Sequence, residues 1–224
     1  MLTARHISKT FGNLEVLKDI SLEIEPSRIT TIVGPSGAGK TTLLQILGTL
    51  MSPDRGGTVL YDGSDVTALP DTDLSRFRNL NIGFVFQFHQ LLPEFSLVEN
   101  VAMPALIAGR NRRDAFEDAR RLLTKLGLEG RDDHRPSELS GGECQRAAVA
   151  RALINKPRVI FADEPSGSLD SHNRSELHNL FFSLRDTMDA TFVIVTHDES
   201  LSADSDTIIH MADGTIMSID RKTK

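Results

Sequence analysis

Gly34-Pro35-Ser36-Gly37-Ala38-Gly39-Lys40-Thr41 reads G-x-x-x-x-G-K-[ST], the pattern of a phosphate-binding loop. It follows the apolar run Ile29-Thr30-Thr31-Ile32-Val33 and precedes Thr42-Leu43-Leu44-Gln45-Ile46-Leu47. That is the strand–loop–helix context the motif needs. Glycines let the backbone fold around an anion with its N–H groups turned inward, and a following helix N-terminus adds partial positive charge. Lys40 is placed to reach β- and γ-phosphates, and the Thr41 hydroxyl to sit on Mg²⁺. The stretch implies a nucleoside triphosphate ligand.

Two more apolar runs look like strands buried on both faces, Val159–Ala162 and Thr191–Val195, as expected where helices cover a parallel sheet. Ile82–Phe86 is a shorter one. Residues 2–25 alternate around Asn13 and Pro26, and with Thr58–Gly63 they predict a small antiparallel sheet. Residues 113–126 carry Phe116, Ala119, Leu122, Leu123 and Leu126 at helical spacing, with Gly127 as a stop. Residues 87–109 contain Pro93 and Pro104 and predict loops and short helices. Asp213-Gly214, between apolar alternations over 207–219, predicts a hairpin. The fold class expected is α/β, with a mostly parallel core sheet, an antiparallel β subdomain and a helical insert from about residue 88 to 157.

The 224 residues hold 39% hydrophobic and 25% charged side chains, within the range of a globular protein. The net charge of −6 argues against nucleic acid as the main partner. Cys144 is the only cysteine, which excludes an internal disulfide. The start has no apolar signal region and no run approaches 18 apolar residues. If the chain works at a membrane, another subunit must hold it there.

A second constellation lies in Val159-Ile160-Phe161-Ala162-Asp163-Glu164. A buried strand ends in adjacent carboxylates, at the edge where parallel sheets place their ligands. Alternation points the two differently, so one can anchor Mg²⁺ while the other polarises a water. A third is Leu139-Ser140-Gly141-Gly142-Glu143 before the helical run Ala147–Leu153. Ser-Gly-Gly at a helix start is a second anion site built from backbone N–H groups. His197, taken alone, reads as a structural histidine. His89, His134, His172, His178 and His210 show no metal-ligand spacing.

With these motifs in this order, the chain resembles the ATP-binding-cassette ATPases over nearly its whole length. Gly34–Thr41 is similar to their Walker A loop, Gln87 to the Q-loop, and Leu139–Glu143 to the LSGGQ signature. Val159–Glu164 resembles Walker B, Ser168-Leu169-Asp170 the D-loop, and His197 the switch histidine. The resemblance implies a P-loop NTPase cassette fold and a single ATPase domain over 1–224. Its catalytic core and β subdomain would span about 1–87 and 158–224, and a helical subdomain about 88–157. It implies ATP and Mg²⁺ as cofactors. Nucleotide contacts would come from Phe11 and Val16, from Gly34, Ser36, Gly37, Ala38, Gly39, Lys40, Thr41 and Thr42, and from Ser140, Gly141, Gly142 and Asp170. Thr41, Gln87 and Asp163 would arrange Mg²⁺. Glu164 would be the general base, with His197 on the γ-phosphate and Gln87 completing the catalytic set. Phe11 stands where the family usually has Tyr, keeping the stacking face and losing the hydroxyl. Glu143 replaces the last Gln of the signature.

In the family two cassettes pair head to tail, so the resemblance implies an ATP-bound homodimer. It also implies membrane permease subunits docked near residues 87–106, a peripheral place on the cytoplasmic face of the bacterial inner membrane, and no direct contact with cargo or nucleic acid. Phe88, Leu91, Leu92 and Phe95 are the candidate docking side chains. The stretch QFHQLLPEFSLVENVAMP at 87–104 and DEPSGSLD at 163–170 most resemble the cassettes of lipoprotein-releasing exporters. Macrolide-type exporters and cell-division regulatory complexes are the alternatives. DNA-repair ATPases with the same motifs carry a coiled coil or zinc insert between the Walker motifs, and translation-factor cassettes come two to a chain; neither pattern is present.

Overall fold

The computed structural model describes residues 1–222. In chain order the elements begin with β1 (Leu2–Phe11), β2 (Leu14–Ile24), β3 (Ile29–Val33), α1 (Lys40–Leu47), β4 (Thr58–Tyr61), β5 (Ser64–Asp65) and α2 (Asp71–Asn81). There follow β6 (Ile82–Phe86), α3 (Leu97–Ile107), α4 (Arg112–Lys125), α5 (Gly141–Leu153), β7 (Val159–Asp163) and α6 (Ser171–Met188). The last are β8 (Phe192–Val195), α7 (Glu199–Asp204), β9 (Thr207–Ala212) and β10 (Thr215–Arg221). Two compact units emerge. One is Met1–Ser75 with the segment from Arg185 onward, the other Arg76–Leu184.

In the first unit, β2-β1-β4-β5 form an antiparallel sheet. Alternation puts Leu2, Ala4 and Ile7 of β1 and Leu17, Ile20, Leu22 and Ile24 of β2 in the core. Lys9 pairs with Leu17 and Thr10 with Glu15, so Val16 is the extra residue of a bulge. A bulge re-aims its side chain, and this one faces the phosphate loop. Parallel pairing joins β3 to β8 and to β9, and β10 turns back on β9. The β8 strand is buried throughout and β3 almost so, the signature of strands covered on both faces. The turn from β9 to β10 has φ 47° at Asp213 and 79° at Gly214, as the hairpin reading expects.

The start of β3 is fixed by Asp206. Its carboxylate accepts from the Ile29 N–H at 2.8 Å, from Arg28 at 3.1 Å and from Arg185 at 3.0 Å. Burial tends to raise the Asp206 pKa, but the Ile29 N–H and the guanidiniums of Arg185 and Arg28 outweigh it and hold the carboxyl below its ordinary range. The phosphate loop leaves the other end of this anchored strand.

In the second unit, β6 and β7 pair in parallel from Ile82↔Val159 to Phe86↔Asp163. Helices α3, α4 and α5 pack together, and α5 lies on β6. There Gly83 is required by space: a Cβ would stand 2.7 Å from the Ala152 carbonyl oxygen. The helix expected over 113–126 is α4, capped by Asn111 and ended at Leu126 before Gly127. The loops and short helices expected over 87–109 resolve into a loop and then the helix α3, which runs through Pro104. A capping box between Ser96 and Glu99 and the buried Leu97, Val98, Val101, Ala102 and Ala105 hold it. The Pro104 carbonyl also accepts from Asn79 and Asn155, both at 3.1 Å. Helices α2, α6 and α7 were not expected. α2 has no fully buried residue, and its apolar stripe is limited to Leu74, Phe77 and Leu80 among eight polar positions.

Candidate functional site

The phosphate loop is made by backbone. Gly34, Gly37 and Gly39 have φ of 153°, 81° and 92°, conformations that turn successive N–H groups toward one concavity. Space is as tight as conformation: a Cβ on Gly34 would meet the Met211 carbonyl oxygen at 2.1 Å, and one on Gly39 the Val16 carbonyl oxygen at 2.9 Å. The loop's two ends are thus pressed against β9 and the β2 bulge. Gly39 is the N-cap of α1 without a side-chain cap, and the start of that helix is the kind of place at which anions bind. The Lys40 ammonium donates to the Gly34 and Pro35 carbonyls at 2.8 and 2.9 Å, and so lies along the loop. Pro35, Ser36, Gly37 and Thr41 are exposed, Thr42 is half-buried and Ala38 is buried.

His197 leaves β8 at the same edge at which the phosphate loop leaves β3, since Ile32 is in register with Val195 and the Thr196 N–H donates to the Ile32 carbonyl at 3.3 Å. The imidazole is exposed. Asp198 caps α7 by accepting from the Ser200 and Leu201 N–H groups, which fixes the chain beside His197. Phe11 ends β1 with its ring 47% exposed.

In the second unit Phe86 is in register with Asp163, so Gln87 and Glu164 leave neighbouring strands at one edge. Asp163 and Glu164 are half-buried. Glu164 has φ 46°, a left-handed conformation it shares with nine other non-glycine residues among those described. The turn after it brings Ser168 to the loop, whose Gln87 carbonyl accepts from the Ser168 hydroxyl at 3.0 Å.

Ser140 caps α5 in a closed capping box. Its hydroxyl accepts the Glu143 N–H at 3.2 Å, and the Glu143 carboxylate accepts the Ser140 N–H at 2.8 Å and its hydroxyl at 2.9 Å. Arg131 pairs with the same carboxylate at 3.1 Å. Hydrogen bonds from Ser140, first from its backbone, outweigh the effect of burial and hold the Glu143 carboxyl below its ordinary value, with Arg131 adding to them. Gly142 is buried against Asn173: a Cβ there would stand 2.1 Å from Asn173 Oδ1. Asn173 in turn donates to Asp170 at 2.7 Å. Asn173 therefore ties Gly142 to Asp170, a role with no local motif to announce it.

The loop after β6 is clamped from outside. The Phe86 carbonyl accepts from buried Gln145 at 2.8 Å, and the His89 and Gln90 carbonyls accept from Arg151. Asn100 donates to the Leu92, Phe95 and Ser96 carbonyls and accepts from the Leu92 N–H. Of the candidate docking residues, Phe88, Leu92 and Phe95 are exposed by 67, 39 and 40%, whereas Leu91 is 6% exposed and belongs to the core. Adjacent leucines outside a regular element cannot be told apart by pattern.

Among the described residues no group of three His, Cys, Asp or Glu could hold a metal. The hydroxyl, carboxylate and carboxamide of Thr41, Asp163 and Gln87 are nonetheless hard oxygen donors of the kind that hold Mg²⁺ together with substrate phosphates. No helix among the described residues is long and apolar enough to cross a membrane.

The sequence model described as "ABC transporter" matches residues 17–167. The "Lipoprotein-releasing system ATP-binding protein LolD" of Bacteroides thetaiotaomicron is 61% identical, covering 96% of this chain and 99% of its own. The protein of that name from Porphyromonas gingivalis is 56% identical, covering 97% and 99%. Among solved structures, a dimeric ATP-binding cassette in a post-hydrolysis state bound to ADP and Pi superposes with a TM-score of 0.90 at 33% identity, covering 100% of both chains. With the phosphate loop, the adjacent carboxylates at the end of β7 and the capped Ser-Gly-Gly helix in place, the chain belongs to the ABC transporter family, as one of its ATP-binding cassettes.

Proposed function

We propose that this chain is the ATP-hydrolysing subunit of a membrane transporter that releases lipoproteins from the inner membrane toward the outer membrane. Near-complete identity in length and high identity in sequence to cassettes named for lipoprotein release carry the transport assignment. Its membrane partners would be LolC/LolE-like permeases docking near residues 87–106, placing it on the cytoplasmic face of the inner membrane. The whole of 1–224 would work as one ATPase domain, with about 88–157 as its helical subdomain.

In this reading the N–H groups of residues 37–41 and the Lys40 ammonium bind the triphosphate, and Phe11 and Val16 take the base. Thr41, Gln87 and Asp163 would hold Mg²⁺, which screens phosphate charge when bound. Glu164 accepts a proton from the attacking water, and His197 donates toward the γ-phosphate. Ser140, Gly141, Gly142 and Asp170 would serve the nucleotide of a second copy, which makes the ATP-bound homodimer the working form. The place of Glu164 supports its role: it directly follows the buried β7 strand, beside Gln87 across the β6–β7 register.

The test is Glu164→Gln, purified with ATP from detergent-solubilised membranes. Loss of the base should cut hydrolysis by about 100-fold or more while binding persists and the dimer accumulates. Recovery with permeases bearing large periplasmic domains and with lipoproteins is the expected result. Recovery with division proteins or a macrolide exporter would overturn the transport assignment and leave the chemistry intact.

A further inference from the structure

Lys9 has no part in the motifs above, yet it is not a free surface lysine. Its side chain is 18% exposed. The ammonium donates to the Ser52 carbonyl at 2.9 Å, lies 3.7 Å from the Asp54 carboxylate, and stands 5.6 Å from the centroid of the Phe11 ring. The segment holding it is itself tied to β1, since the Asp54 N–H donates to the Ser8 carbonyl at 2.9 Å. Lys9 and Phe11 are two apart on one strand and so share a face. The cation is thus fixed from behind and directed at one side of an exposed aromatic ring.

We propose that Lys9 is a positioning residue for the nucleotide base. Its ammonium holds the Phe11 ring by a cation–π contact. It draws the ring's negative face toward itself, so that the opposite face is less negative and better suited to an electron-rich purine. The base-stacking part of ATP affinity then depends on a charge that never touches the nucleotide. This rests on the reading of Phe11 as the base platform.

The experiment is calorimetric titration of the full chain with ATP and with inorganic tripolyphosphate, which has phosphates and no base. Lys9→Gln keeps a donor for the Ser52 carbonyl and removes the charge. It should weaken ATP binding by about two- to five-fold and leave tripolyphosphate unchanged. Lys9→Arg, which restores a cation, should return ATP binding to within about two-fold of the parent. Equal losses for both ligands in Lys9→Gln, or no loss for ATP, would overturn the proposal. If Lys9→Gln does not fold, Lys9→Met, which keeps the stem and removes the charge, takes its place with the same supporting and overturning results. Phe11→Leu also separates the two failures. A Phe11→Leu loss confined to ATP, with no Lys9 effect, sinks the Lys9 role alone; no Phe11→Leu loss sinks the platform reading with it.

Discussion

The phosphate loop and the loop after β6 are built by opposite means. From Gly34 to Thr42 the shape comes from the loop's own residues, glycines at positive φ with no room for a Cβ at Gly34 or Gly39. From Gln87 to Phe95 the shape comes from other elements: Arg151 of α5, Ser168 and Asn100 of α3 grip the loop's carbonyls, and Gln145 of α5 holds the Phe86 carbonyl just before it. A loop of the first kind is specified within a few residues and can be read from them. One of the second kind is specified by partners far along the chain, and its own sequence says little beyond polarity and proline.

The sharpest way to break this contrast is Gly34→Ala. The new Cβ would meet the Met211 carbonyl, so we expect a loss of about 3 kcal/mol or more in urea unfolding, with ATP binding lost. A loss below about 1 kcal/mol would mean the loop relaxes and is not set by its own glycines.

Next is Arg151→Met. It strands the His89 and Gln90 carbonyls and should cost about 2 kcal/mol, with tripolyphosphate affinity unchanged because the phosphate loop is untouched. Equal damage to phosphate binding would erase the distinction between the loops.

The third is titration with acid. Glu143, held below its ordinary value of 4.5, stabilises the native state fully above that value and loses its contribution as pH falls through the lower folded pKa. Glu143→Ala, which removes half of the capping box, should cost about 1 kcal/mol at pH 7. The gap from the parent should narrow in acid, as unfolding midpoints at pH 7 and pH 3 would register. A gap that stays constant would dissociate the cap from the carboxylate.

The smallest effect on stability belongs to Leu92→Asp, within about 0.5 kcal/mol because the side chain is exposed. Its consequence should lie in weaker recovery with membranes; unchanged recovery would remove Leu92 from the docking surface.

The same contrast decides what was legible in the sequence. The phosphate loop, the apolar strands β3, β7 and β8, the Asp213-Gly214 hairpin and α4 follow from local pattern, because backbone conformation and burial leave marks at fixed spacing. Helices α2, α6 and α7 did not: α2 has no fully buried residue, and α7 is only six residues long and is held by the Asp198 cap. Leu91 and Leu92 read alike, yet only Leu91 is buried, since neither periodicity nor turn chemistry governs that stretch. Asn173 behind Gly142 and Asp206 behind Ile29 were beyond reach for the reason that hid Arg151, a partner that is distant in the chain and of ordinary residue type.

The grip of α5 on the loop after β6 also has a mechanical meaning. Arg151 near one end of this helix holds the His89 and Gln90 carbonyls, and Ser140 caps the other end, about 16 Å away along the axis. Gly83 lets the helix backbone at Ala152 come directly against β6. One helix thus carries the clamp on the loop after β6 at one end and the capped Ser-Gly-Gly turn at the other, so the proposed docking of a permease at Phe88 would act on a segment bonded directly to the helix that bears that turn.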